Sequence, residues 1–93
     1  MDRMKAIIAD FIRRGIPAGH IFDAHTVIDY LILNHSDEYN SYRYADETTE
    51  HFHSRISKLI DSFDSSLITR LDRNSLSKNI RDNFTTNTCW QKN

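Results

Sequence analysis

Glu47-Thr48-Thr49-Glu50-His51-Phe52-His53-Ser54-Arg55-Ile56-Ser57-Lys58-Leu59-Ile60-Asp61-Ser62-Phe63 is the stretch whose periodicity decides the fold. Phe52, Ile56, Leu59, Ile60 and Phe63 recur at the spacing of one helical face, while Ser54, Ser57 and Lys58 lie off it. A helix divided in this way buries one side and offers the other to a partner. Asp46 or Thr48 can cap its start, Glu47 and Glu50 suit the positive N-terminal end, and the helix is expected to finish near Phe63.

Upstream, Met4, Ile7, Ile8, Phe11 and Ile12 fall at i, i+3, i+4, i+7 and i+8, the pattern of a first helix with one buried stripe. Gly15 is expected to end it in a left-handed conformation, and Pro17 with Gly19 marks a turn. Ile21-Phe22-Asp23 then reads as a short extended piece. Asp23 is an N-cap for a second helix over residues 24–33, its carboxylate accepting the amide of Thr26. Phe22 and Val27 stand at staple spacing on either side of that cap. Val27, Ile28, Leu31 and Ile32 supply the buried face. Residues 34–46 are polar, carry Tyr39, Tyr42 and Tyr44, and read as a loop, a continuation of the second helix or a short separate turn.

Downstream the period changes to two. Leu67, Thr69 and Leu71 alternate with Ile68 and Arg70, and Phe84, Thr86, Thr88 and Trp90 alternate with Thr85, Asn87 and Cys89. Two strands joined by a polar tip over residues 72–83 satisfy this pattern. The competing reading is a fourth helix over residues 75–84, because Leu76, Ile80 and Phe84 are spaced by four.

At 93 residues the chain suits a single domain over 1–93 with one modest core. Hydrophobic residues make up 39% and charged residues 27%, which argues against wholesale disorder. Cys89 is the only cysteine, so no intramolecular disulfide forms and a reducing, cytoplasmic setting fits. No apolar run approaches the roughly 20 residues of a membrane span, and no signal-peptide core is visible. Charge is uneven, net +2 over residues 1–14, −6 over 15–53 and +3 over 54–93. Such a chain is not a general polyanion binder unless folding gathers Arg55, Lys58, Arg70, Arg73, Lys78 and Arg81 onto one side.

Catalytic and cofactor chemistry find little support. With two glycines in the whole chain there is no phosphate-cradling loop. Cys89 has no glycine turn or helix N-terminus to activate it, and packing accounts for it better than nucleophilic catalysis. His51 and His53 are two apart and on a helix point about 200° from each other, so they do not chelate one metal ion. His20, His25 and His35 have no cysteine or carboxylate at a metal-binding spacing. No enzyme, metal or cofactor is expected.

The order helix, short extended piece, two helices, strand, polar loop, strand resembles the winged-helix superfamily over about residues 4–92, by architecture and without a diagnostic motif. The resemblance implies an α+β fold, mainly α with a C-terminal β-hairpin, built of about three helices and two or three short strands. It also implies that residues 49–58 read a DNA major groove while residues 73–83 form a wing on the phosphate backbone or minor groove.

Two partners follow as expectations. For duplex DNA, His53, Ser54, Ser57 and Lys58 would reach base edges and Arg55 would clamp a phosphate. Arg70, Arg73, Lys78 and Arg81, interspersed with Asn74, Ser75, Ser77 and Asn79, would bind phosphate oxygens in a salt-dependent way. Against this stand Glu47, Glu50 and Asp61, which repel phosphate, and Asp72 and Asp82, which can pair with neighbouring cations. For a protein partner, the acidic residues 29–50 and their tyrosines would dock on a basic or aromatic surface, as in an inhibitor or accessory subunit. One or two of those rings are expected to cover the core instead. Trp90 is expected to anchor the last strand, and a regulatory role, including as a homodimer, fits either partner.

Overall fold

Met4, Ile8 and Ile12, spaced by four, put three fully buried side chains on one face of α1 (Asp2–Gly15). The computed structural model describes the backbone of residues 2–78 and 84–93 and the side chains of residues 3–72 and 87–93. After α1 come β1 (Ile21–Asp23), α2 (Ala24–Asn34), α3 (Ser36–Ser41), α4 (Thr49–Asp61), β2 (Ile68–Lys78) and β3 (Phe84–Lys92). Four helices and a three-stranded antiparallel sheet, in the order β1-β3-β2, are thus present among the described residues. None of these helices is long and apolar enough to cross a membrane.

The cap at Asp23 works as its sequence implies. Its Oδ1 accepts the Thr26 amide at 3.2 Å, and Thr26 Oγ1 accepts the Asp23 amide at 3.5 Å. Phe22 and Val27 are both buried beside it, closing the staple. From that fixed start, α2 carries Val27, Ile28 and Leu31 into the core, where they join Phe52, Ile56 and Ile60 of α4 and Ile68 and Trp90 of the sheet.

Gly15 departs from expectation. It belongs to α1, and the positive φ of this region sits at Gly19 instead, at 87°. Gly15 is small for a different reason, since a Cβ there would lie 2.7 Å from Cδ1 of Phe11. The Phe11 ring stacks on Tyr30 with centroids 4.0 Å apart. The end of α1 is held by Lys92, whose ammonium donates to the carbonyl oxygens of Arg13 (3.0 Å) and Ile16 (2.8 Å).

β3 is the middle strand. Ile21, Phe22 and Asp23 pair with Gln91, Trp90 and Cys89, and Gly19 N donates to Lys92 O at 2.7 Å to extend that edge. On its other side β3 pairs with β2 from Ile68↔Lys92 to Lys78↔Phe84. A register shift separates Arg70↔Trp90 from Asn74↔Thr88, leaving residues 71–73 opposite Cys89 alone. The hairpin reading therefore holds in outline, but residues 72–78, expected in its polar tip, belong to β2, and a helix over 75–84 is excluded by that extended backbone up to Lys78. Residues 79–83 of the anticipated tip, Arg81 among them, lie outside the described residues.

The tyrosine-bearing segment contains a helix of its own, α3, with Tyr39 buried, Tyr42 packed against the core and Tyr44 62% exposed. α4 starts at the second of its two expected caps and ends two residues before Phe63. Thr48 is its N-cap, with Oγ1 accepting the His51 amide at 3.1 Å, and Phe63 lies beyond its end.

Candidate nucleic-acid interface

The outward side of α4 is built by the residues its apolar stripe leaves over. Phe52, Ile56 and Ile60 are fully buried, so Ser54 and Lys58, one turn apart, fall on the solvent side and are exposed. Lys58 makes no ion pair with any described residue. His53 and Ser57 are half-buried beside this row. Together with Ser54 and Glu50 they form one wall of a cleft of about 250 Å³, whose other walls are Ala24, His25 and Ile28 of α2 and Asn87 of β3. The start of α2, the middle of α4 and the hairpin thus meet at one place.

His53 is fixed within that cleft by Tyr39, whose hydroxyl shares a hydrogen bond with His53 Nε2 at 2.7 Å. Burial, and after it the proximity of His25, holds the His53 imidazolium pKa below its ordinary value. Burial raises that of the Tyr39 phenol. Both rings are accordingly neutral near pH 7, and His53 presents a hydrogen-bonding imidazole rather than a cation.

Arg55 requires correction as a phosphate clamp. Its Nε and Nη2 donate to the two carboxylate oxygens of Glu47, each at 2.7 Å, and Nη2 also donates to Tyr42 O at 2.7 Å. The guanidinium lies 4.2 Å from the Tyr44 ring centroid and 5.3 Å from that of Phe52. It faces the loop before α4, away from the Ser54–Lys58 row, and its Nε and Nη2 donors are committed. Glu47 is likewise not a first-turn helix acid. Its side chain is 2% exposed, precedes the cap, and receives Arg55, His51 Nδ1 and the Tyr44 amide. The Arg55 guanidinium, assisted by His51 and opposed by burial, pulls the Glu47 carboxyl down to about 2. This carboxylate therefore exerts no net repulsion on a phosphate at α4.

Arg70 is brought to the end of α4. Its Nη1 donates to Asp61 Oδ2 at 3.1 Å, while Trp90 Nε1 donates to Oδ1 of the same carboxylate at 2.8 Å. The Arg70 side chain stays 62% exposed, so this pairing orients it without hiding it. Arg73 occupies the irregular stretch of β2 and Lys78 stands opposite Phe84 near its end. Of the nine anticipated contact residues, His53, Ser54 and Ser57 share one cleft, Lys58 adjoins it on α4, and Arg70 adjoins the helix end. Arg55 is withdrawn, and Arg81 is outside the described residues.

The Glu47–His51–Arg55 node had a sequence signal, a spacing of four and four, that a reading confined to the apolar stripe misses. Tyr39–His53 and Asp61–Trp90 span 14 and 29 residues and left none. Among the described residues no three of the histidine, cysteine and acidic side chains are grouped to hold a metal ion. Comparison with family models, curated proteins and solved structures returned no match.

Proposed function

We propose that this chain is a winged-helix-like, non-enzymatic binding module of the cytoplasm whose partner is duplex DNA, engaged by the outward row of α4 and the β2–β3 hairpin in a regulatory role. The observation that carries this reading is the exposed Lys58, without an ion pair among the described residues, in one row with Ser54 between the shared cleft and the exposed Arg70. Support also comes from the element order and from the β1-β3-β2 sheet, in which the hairpin continues past the three residues that β1 covers. Lys58 and Arg70 would neutralise phosphates, and Ser54 and Ser57 would hydrogen-bond base edges. Glu50 in the cleft would disfavour a phosphate there and accept from an exocyclic amine instead.

Fluorescence anisotropy with duplex DNA at two salt concentrations tests the reading. Binding at low salt that weakens as salt rises is expected, with Lys58→Ala and Arg73→Ala each several-fold weaker and Ser54→Ala altering sequence preference. Absence of binding at low salt, or affinity indifferent to Lys58→Ala and Arg73→Ala, rejects it.

A second reading, a protein-interaction module docking through the acidic, tyrosine-bearing region, draws on one observation. The Tyr44 ring is exposed yet held against Arg55, a rigid aromatic platform of the kind that anchors interfaces. Tyr39 is buried, so this face narrows to Tyr44, Asp46 and His51, which line a shallow groove with Glu47 and Thr48. Tyr44→Ala should then abolish partner capture from the native host while leaving DNA affinity unchanged. Sedimentation equilibrium would show whether the module acts as a homodimer, which either reading accommodates.

A further inference from the structure

A groove of about 670 Å³ runs along α1 and shares no lining residue with the cleft of α2 and α4. Lys5, Ala6, Ala9 and Arg13 form one wall, and Ser62, Phe63, Asp64, Ser66 and Leu67, from the turn between α4 and β2, form the other. Phe63 and Leu67 are half-buried and pack against the core, so the floor is apolar and anchored. Its volume lies within the range of clefts that enclose ligand-sized groups.

The cations of α1 divide in an informative way. Arg3 pairs with Glu38 at 3.0 Å and Arg14 with Asp10 at 3.1 Å, and neither lines the groove. Lys5 and Arg13 do line it, are exposed, and have no carboxylate partner among the described residues. Lys5 Nζ instead stands 5.8 Å from the Phe63 ring centroid, over the groove floor. The acid on the opposite wall, Asp64, has Oδ1 turned to the Ser66 amide (3.3 Å) and the Ser65 hydroxyl (3.4 Å) of its own turn. Lys5, Ala9 and Arg13 lie in one i, i+4, i+8 row, which sets the two cations about 12 Å apart along the axis with only a methyl group between them.

We propose that this groove docks an acidic amphipathic helix of a protein partner, lying along α1. Charge complementarity and spacing define the occupant: carboxylates two turns apart meet Lys5 and Arg13, and a large apolar side chain between them enters over Ala9 onto Phe63 and Leu67. The small side chains of Ala6 and Ala9 permit the close axial approach of two helices. This surface is independent of the α4 row, so the protein would join DNA to a partner rather than choose between them.

The test uses a fluorescein-labelled helical peptide bearing glutamates two turns apart and a leucine on the turn between, titrated with the full chain at low salt. Saturable binding is expected. The double variant Lys5→Glu/Arg13→Glu should weaken it at least about tenfold, as should Ala6→Trp, which obstructs the groove without altering charge. A peptide with serine in place of the leucine should bind comparably weakly. Circular dichroism melts of both variants establish that folding is intact, as the exposure of all three side chains implies. The proposal is overturned by absence of saturation, by equal affinity for the obstructed or charge-reversed protein, by indifference to the leucine, or by duplex DNA competing for the same groove. Self-association abolished by Ala6→Trp would identify the occupant as a second copy of the chain and overturn it equally. DNA affinity of the variants through Lys58 remains a separate readout.

Discussion

Glu47 is the side chain on which the loop before α4 depends. It is almost fully enclosed, and every partner that satisfies it, Arg55, His51 and the Tyr44 amide, belongs to the loop or the first two turns of that helix. Its folded pKa of about 2 lies below the ordinary 4.5, so the unfolded chain binds the proton more readily. The stabilisation is complete above about pH 4.5 and is lost as pH falls toward 2. Glu47→Gln should lower the melting temperature at neutral pH and flatten the dependence of stability on pH across that acid window. Parallel wild-type and variant curves would refute the assignment. His53, whose pKa is lowered by burial, acts with the same sign: below its ordinary 6.5 the unfolded chain takes up protons first, and stability falls as pH drops from there. His53→Gln should remove that component from denaturant melts compared at about pH 7.5 and 5.5. Gly15 gives a third test at this scale. In an open helix, glycine to alanine gains about 1 kcal/mol, but here the new methyl meets the Phe11 ring. Gly15→Ala should therefore destabilise by about 1–3 kcal/mol in urea melts, and should become stabilising in a Phe11→Ala background.

At the level of elements, α2 illustrates what local chemistry can specify. Asp23, Thr26, Phe22 and Val27 fix its start within one residue, because cap and staple are made between neighbours and need nothing from the rest of the chain. Asp23→Ala should cost about 1 kcal/mol of unfolding free energy, and a variant as stable as wild type would show that tertiary packing alone sets the helix start. The apolar stripe of α4 and the alternation of β2 and β3 were legible for the same reason, each being a repeat readable in a short window. α3 was not. Its six residues are too few to show a period, and what holds it is Tyr39 reaching across 14 residues to His53 and packing at a tilt against Phe52. Arg55 was misread for a related reason. Position on a helix says which way a side chain sets out, but a carboxylate eight residues earlier, folded back by the loop, decided where its charge resides. The cleft shared by α2, α4 and Asn87 joins three separate parts of the sequence, so its half of the candidate interface emerged only with the fold.

For the molecule as a whole, residues 89–92 tie β3 to α1, to α4 and to the turn before β1. Cys89 and Trp90 are buried, Trp90 reaches Asp61, Gln91 donates to Gly19 O, and Lys92 holds the end of α1. A variant ending at Thr88 should lose cooperative thermal unfolding by circular dichroism while retaining some helical signal. A sharp transition near the wild-type temperature would contradict the central position of β3. The two proposed surfaces also belong to this scale. The Ser54–Lys58 row and the α1 groove are carried on separate helices of one core, so charge reversal at Lys5 and Arg13 should leave DNA affinity within about twofold, apart from long-range electrostatics that salt screens.

The place of β3 between β1 and β2 has a temporal meaning as well. The strand that completes the sheet follows β2 in the chain, and β1 must wait 66–70 residues (Asp23↔Cys89 to Ile21↔Gln91) for the partner that satisfies its amides. Until then the core lacks Trp90, the largest of its fully buried side chains. Folding is thus expected to await the emergence of β3, with a rate limited by distant strand pairing, and a nascent chain arrested before β3 should remain open to protease.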